Sequence, residues 1–138
     1  MMCRGFLILW LLSEPVMAGL PAGPEGQAAA DPEAGRRFFN GKGLCYYCHG
    51  MDGYRDKLPQ LGSDTNAVIA QLNPPPADLR NPRSLRLTTD KARAKAIREG
   101  HPGTGMLPDT KMTDQELSDT IAYLSMLRRE GTLKAPSQ

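Results

Sequence analysis

The 138-residue sequence has little of what marks several common classes of protein. Its 17 basic and 15 acidic residues leave a net charge of only +2, which is too balanced to indicate nucleic-acid binding. Its most apolar run, residues 6–12, is far too short to cross a bilayer. No segment sustains the apolar/polar alternation of a half-buried strand, and there are no internal repeats. The length and these patterns predict one all-α domain.

The N-terminus has the features of an export signal. Arg4 supplies a positive charge ahead of the apolar run, and small or apolar residues precede a suitable cleavage point after Ala18. We therefore predict a signal peptide over residues 1–18, with an uncleaved anchor as the alternative. Cleavage would leave only Cys45 and Cys48, as expected in an oxidising compartment where no free thiol remains.

The remainder of the chain divides into three parts. Residues 19–30 are rich in Gly, Ala and Pro and are expected to form a flexible lead. The folded domain is expected over residues 31–131. A short tail would then occupy residues 132–138.

The most informative segment is Cys45-Tyr46-Tyr47-Cys48-His49, because Cys-x-x-Cys-His is the attachment signature of a c-type haem. Two thiols three positions apart share one face of a helical turn, where they can add to the two vinyl groups of the porphyrin. The histidine after the second thiol can then bind the iron axially. The motif therefore predicts one covalent haem c held by Cys45, Cys48 and His49.

Three other sites could use the same side chains. A dithiol redox motif would need a βαβ context and a helix N-terminus for the first thiol, and little of the sequence resembles a strand. A structural zinc site could draw on Cys45, Cys48, His49 and His101, although the adjacent Cys48 and His49 would have difficulty reaching one tetrahedral metal. A disulfide between Cys45 and Cys48 is the third alternative.

Capping residues and glycines predict the helices. The helices are expected over residues 32–40, with Asp31 as N-cap; over residues 64–72, with Ser63 as N-cap; over residues 90–99, with Thr88 or Thr89 as N-cap; and from the capping box of Thr113 and Glu116 to Gly131. Gly35 and Phe39 share one face of the first helix, which suits a close helix crossing.

A haem in electron transfer usually has a second protein ligand, and methionine in that position raises the reduction potential. Met106 is the best candidate, since it lies in a Gly- and Pro-containing loop between helices that can lie flat against a haem. Met51 is too close to the motif to reach the other haem face, and Met112 and Met126 are expected in the core. His101 is the alternative ligand.

These features together resemble the class I, mono-haem cytochromes c over residues 31–129. The resemblance is carried by the Gly35/Phe39 pair, by the haem motif followed by Gly50, by the loop Gly103-Thr104-Gly105-Met106-Leu107-Pro108, and by the last helix with Ile121-Ala122-Tyr123-Leu124. It implies a small cytochrome c fold in which N- and C-terminal helices cross and short helices and loops enclose the haem. Residues 72–79 are similar to a bacterial, periplasmic branch.

The resemblance implies an electron carrier, not an enzyme, with His49 and Met106 as iron ligands. The family usually has a proline directly after the methionine, whereas Leu107 separates Met106 from Pro108 here. The family also has a proline whose neighbourhood gives a backbone carbonyl to the proximal histidine, and Pro59 is the candidate for it. Expected partners are periplasmic dehydrogenases, oxidases or reductases, with no nucleic acid and no membrane span in the mature form.

Two further functions remain open: a dedicated cytochrome subunit of a periplasmic dehydrogenase, and an open-site peroxidase or gas sensor if Met106 does not bind iron. A basic run could steer an acidic redox partner, or could be a solvated face. Its members are Arg80, Arg83, Arg86, Lys91, Arg93, Lys95 and Arg98.

Overall fold

The computed structural model describes residues 28–134. Over this range the chain forms five α-helices and no strand: α1 (Pro32–Phe39), α2 (Tyr46–His49), α3 (Ser63–Ala70), α4 (Asp90–Glu99) and α5 (Asp114–Lys134). Short 3₁₀ turns lie at Met51–Gly53 and Pro82–Ser84. The predicted all-α class is confirmed. The predicted signal peptide, most of the lead and the end of the tail lie outside the described residues.

Helices α1 and α5 cross at Gly35. A Cβ at this position would overlap the backbone oxygen of Asp119, so only glycine allows the two backbones to come so close. One turn further along α1, the buried ring of Phe39 meets Tyr123 edge-on, with 5.5 Å between ring centroids. The backbone nitrogen of Asp31 donates to Asp119 Oδ1 at 2.8 Å. The face predicted from Gly35 and Phe39 therefore forms the crossing.

The buried apolar side chains form two clusters. The first consists of Phe38, Ile97 and Met112, and the second of Phe39, Tyr123 and Leu127. Leu124 of α5 packs against both clusters, and Met106 packs against the first. Two separate small clusters, rather than one continuous core, leave room between the helices for another group.

Three of the predicted helix starts have the expected caps. Asp31 Oδ1 accepts from the backbone nitrogen of Glu33 at 2.9 Å, and Thr89 Oγ1 accepts from Ala92 at 3.1 Å. In the capping box, the backbone nitrogen of Thr113 donates to Glu116 Oε2 at 2.8 Å, while that of Glu116 donates to Thr113 Oγ1 at 3.1 Å. Local hydrogen-bonding chemistry thus decides where α1, α4 and α5 begin.

Two predicted helix boundaries are wrong. Ser63 is the first residue of α3 rather than its cap, and Gly62 occupies the cap position. Helix α5 does not end at Gly131 but continues to Lys134. A Cβ at Gly131 would overlap the backbone oxygen of Arg80. This glycine therefore permits a close approach of the chain near Arg80 and does not terminate the helix.

No helix among residues 28–134 is both long enough and apolar enough to cross a membrane.

Candidate functional site

Helix α2 places both thiols and the imidazole of the motif within one turn. Cys45 is its N-cap and His49 its last residue. The backbone nitrogen of His49 donates to the carbonyl of Cys45 at 3.0 Å, which closes the turn. Cys45 and Cys48 are half-buried free thiols, so the disulfide alternative receives no support.

The motif opens onto a cavity of about 810 Å³. Cys45, Cys48 and His49 line it, as does Met106 from the loop at residues 101–108, which we call the distal loop. Much of the remaining lining is apolar and includes members of both core clusters, Phe38 and Phe39 among them. The volume lies within the range of cofactor sites, and the apolar wall would exclude water from a bound group. The structure therefore brings all four sequence-predicted site residues to one cavity.

His49 is oriented by a hydrogen bond to the backbone. Its Nδ1 lies 3.0 Å from the carbonyl oxygen of Ala77. Burial lowers the pKa of His49, although the bond to Ala77 acts in the opposite direction. Because a carbonyl oxygen can only accept, Nδ1 donates to Ala77, and the neutral form of the ring then keeps the Nε2 lone pair for a metal ion.

The prediction that the chain around Pro59 supplies this carbonyl is wrong. The carbonyl that His49 contacts belongs to Ala77. Ala77 follows three consecutive prolines, which have no backbone N–H to donate and which hold the chain extended. The three prolines at residues 74–76 are visible in the sequence. That Ala77, directly after them, reaches His49, 28 positions earlier, depends on how the chain folds back.

The thiols do not resemble those of a dithiol oxidoreductase. Burial raises the pKa of Cys45 to about 12, and the charge of Asp109 acts in the same direction. Burial also raises the pKa of Cys48, with Arg55 opposing it. Catalytic dithiols depend on a lowered pKa instead. In addition, no group of three or more His, Cys, Asp or Glu residues in the described range is placed to hold a metal ion, so the zinc alternative has no support.

A closed ring of hydrogen bonds holds the distal loop. The hydroxyl of Thr104 donates to the carbonyl of His101 at 2.7 Å and accepts from the backbone nitrogen of Met106 at 3.1 Å. The backbone nitrogen of His101 donates to the carbonyl of Met106 at 3.1 Å. Met106 packs inward while Leu107 is 82% exposed. The residue inserted between Met106 and Pro108 therefore points to solvent and leaves Met106 at the cavity.

The family comparison agrees with this arrangement. The family model for cytochrome c matches residues 32–128, which is most of the chain. The chain belongs to the cytochrome c family. Searches of curated proteins and of solved structures each found no match. Cytochromes c bind covalent c-type haem and serve in haem-based electron transfer.

One polar part of the cavity wall of this cytochrome c fits the carboxylates of a haem. Arg93 and Arg128 line the cavity, and the Nη1 atoms of both donate to the carbonyl of Leu87, at 3.1 and 2.8 Å. We call these two residues the arginine pair. Arg93 Nη2 also pairs with Asp90, but its Nε is buried without a hydrogen-bond partner in the described part of the chain. An unsatisfied buried N–H costs about 1–3 kcal/mol.

Sequence reasoning missed the arginine pair as site residues. Arg93 belonged to the basic run, and Arg128 lies within α5. No local pattern distinguishes either from a surface arginine. Their convergence on Leu87 depends on the packing of α4 beside α5.

The rest of the basic run is only partly available to a partner. Arg80 pairs with Glu130 at 2.6 Å and stacks on Tyr54. Arg98 pairs with Asp114 at 2.6 Å. The four remaining members of the run, Arg83, Arg86, Lys91 and Lys95, are exposed. The continuous basic sequence therefore does not form a uniformly free basic surface.

Proposed function

We propose that this chain is a periplasmic carrier of one electron, with one haem c attached through Cys45 and Cys48. The observation that carries the proposal is the shared cavity, to which α2 brings the two thiols and His49 while the distal loop brings Met106. When bound, the haem supplies a one-electron iron couple.

The protein side chains have distinct roles in this proposal. The two cysteines fix the porphyrin edge, and His49 presents Nε2 to the iron because Ala77 holds its Nδ1–H. Met106 would supply the second ligand to the iron, since the hydrogen bonds of Thr104 hold its loop at the cavity. With His49 and Met106 both bound, the iron would have no vacant position for a substrate, and the haem would serve electron carriage rather than open-site chemistry.

The rim of the cavity suits transient contact with redox proteins. Leu44 and Leu107 line the cavity but are 50% and 82% exposed. Lys111 lines it as well and is exposed at its edge, whereas Lys42 pairs with Glu116 at 2.7 Å. An apolar rim with a nearby cation favours a partner whose docking face combines apolar and acidic residues.

The test of Met106 is a set of methionine-to-leucine variants, which remove the sulfur and keep most of the side-chain volume. M106L should lose the weak near-infrared charge-transfer band between sulfur and ferric iron, and the reduced protein should bind CO readily at neutral pH. M51L, at an exposed position, and M126L, on the second core cluster, should keep the band and resist CO. Survival of the band in M106L would show that another group binds the iron.

A further inference from the structure

The chain directly after α2 folds back against the haem motif in a closed loop. The backbone nitrogen of Met51 donates to the carbonyl of Lys57 at 2.8 Å, which closes the loop between these two residues. The loop packs tightly on the end of α2, because a Cβ at Gly50, whose φ is 80°, would overlap the backbone oxygen of Tyr54. Arg55, in the middle of the loop, is therefore held beside the motif.

The side chain of Arg55 caps the end of α2. The last carbonyls of a helix have no backbone donor within it. The backbone nitrogen of Asp52 would serve the carbonyl of Cys48 if the helix continued, but it donates to Asn40 Oδ1 at 2.9 Å. Arg55 Nη1 donates to the carbonyl of Cys48 instead. This carbonyl belongs to the peptide bond that joins Cys48 to His49, so the guanidinium lies next to the backbone of the proposed iron ligand.

Arg55 brings a positive charge that no carboxylate neutralises directly. None of the ion pairs among residues 28–134 includes it. Arg55 is half-buried, so dissolved salt screens its charge less than that of an exposed cation. The charge also acts on the motif: burial is the main cause of the lowered pKa of His49, and the charge of Arg55 acts in the same direction.

A fixed cation near the motif favours one oxidation state of an iron bound there. Ferric iron carries one more positive charge than the ferrous iron that forms when one electron arrives from a redox partner, so the cation repels the ferric state more strongly. We propose that Arg55 raises the reduction potential of the haem by holding a positive charge at the end of α2, beside the peptide of His49. This inference rests on the proposed covalent haem, and it adds a potential-setting residue that does not line the cavity.

The experiment measures the midpoint potential of the haem-loaded protein near neutral pH for wild type and R55Q. R55Q removes the charge and keeps a side chain that can donate hydrogen bonds. It should lower the equilibrium constant for reduction about three- to tenfold, which is a fall in potential of about 30–60 mV for one electron. The visible and near-infrared spectra of R55Q should match those of wild type, because the ligands of the iron do not change.

K57Q is the matched control, because Lys57 lies in the same loop and carries the same charge but is exposed. Its shift should be smaller than that of R55Q and should disappear at about 1 M salt, where the Debye length is about 3 Å. Most of the R55Q shift should persist at that salt concentration. R55K should remain near the wild-type potential, because lysine keeps the positive charge.

Equal potentials of R55Q and K57Q would overturn the proposal, as would an R55Q shift that high salt removes. A changed spectrum in R55Q would also overturn it, because Arg55 would then act by holding the iron ligands and not by its charge. If R55Q does not accumulate as a folded holoprotein, R55M, which keeps the aliphatic stem without the charge, carries the comparison. Failure of the proposed function has a different signature, namely wild-type protein without a covalently bound haem spectrum.

Discussion

At the scale of single residues, Asp52 connects the haem motif region to both crossing helices. Its carboxylate accepts from Arg36 Nε at 2.7 Å, from Asn40 Nδ2 at 2.6 Å and from the hydroxyl of Tyr123 at 3.3 Å. The hydrogen bond from Arg36 is the main reason that the pKa of Asp52 falls from 3.8 to about 2, while partial burial acts in the opposite direction. This short side chain therefore joins α1, the turn after α2 and α5.

The lowered pKa predicts how D52N will respond to pH. A carboxylate whose pKa is lower in the folded state stabilises the protein fully above pH 3.8, and this contribution is lost as pH falls toward about 2. Because Asp52 is partly exposed, we expect D52N to lower the free energy of unfolding by only about 1–2 kcal/mol at pH 7. Denaturant titrations at pH 7 and at low pH measure the difference.

D56N is the control for D52N, because Asp56 is exposed in the same segment. Wild type and D56N should differ from D52N at pH 7 and converge with it near pH 2. A constant difference at all pH values would mean that the charge of Asp52 is not what stabilises the fold.

At the scale of elements, the crossing of α1 and α5 positions the haem motif. Phe39 lies in the crossing against Tyr123, and its ring centroid is 6.5 Å from that of His49. The chain from α1 to α2 is only six residues long, so the position of α1 on α5 sets where α2 can lie. The Gly35 contact thus fixes the position of α1 on α5 and, through α1, the position of the haem motif.

G35A should destabilise the protein by about 3 kcal/mol, because the added methyl overlaps the backbone of Asp119 and forces the helices apart. Chemical denaturation of the holoprotein followed by far-UV circular dichroism measures this change. G62A is the matched control, since a Cβ there meets no described atom within 4 Å and the cap position costs less than about 1 kcal/mol. Equal losses in the two variants would show that the close crossing is not required.

At the scale of the whole molecule, the fold is built around the cavity. Members of both core clusters line the cavity of about 810 Å³. A group that fills it would remove their apolar surface from water, which contributes about 25 cal/mol per Å². We therefore expect the two small clusters to form a stable core with the cofactor between them.

The double variant C45A/C48A should lose its haem to acidified acetone, whereas wild type and each single variant, which keeps one thioether, should retain it. Returned to neutral buffer without haem, the double variant should show a much weaker helical circular dichroism signal, because the apolar lining of the cavity is then left exposed to water. Haem retention by the double variant would rule out attachment at these cysteines. A fully helical protein after extraction would contradict the dependence of the fold on the cofactor.

The helix starts and the crossing face of α1 were predictable because they depend on residues that are close in the sequence. The cap of Asp31, the capping box of Thr113 and the Gly35/Phe39 face are local patterns, and the structure confirms them. Gly131 shows the limit of such reasoning. A glycine near the end of a helical pattern commonly ends the helix through its backbone freedom. Gly131 instead lies within α5, because the backbone of Arg80 packs against it.

The sequence by itself determined the attachment motif, because two thiols and an imidazole within five residues meet on one turn of helix whatever surrounds them. Only the tertiary structure decided that Ala77 rather than the chain near Pro59 orients His49, that Met106 shares the motif's cavity, and that Arg93 and Arg128 converge there. Those residues are separated from the motif by tens of positions along the chain. Their approach depends on which helix faces pack together, and no local periodicity or capping pattern encodes that.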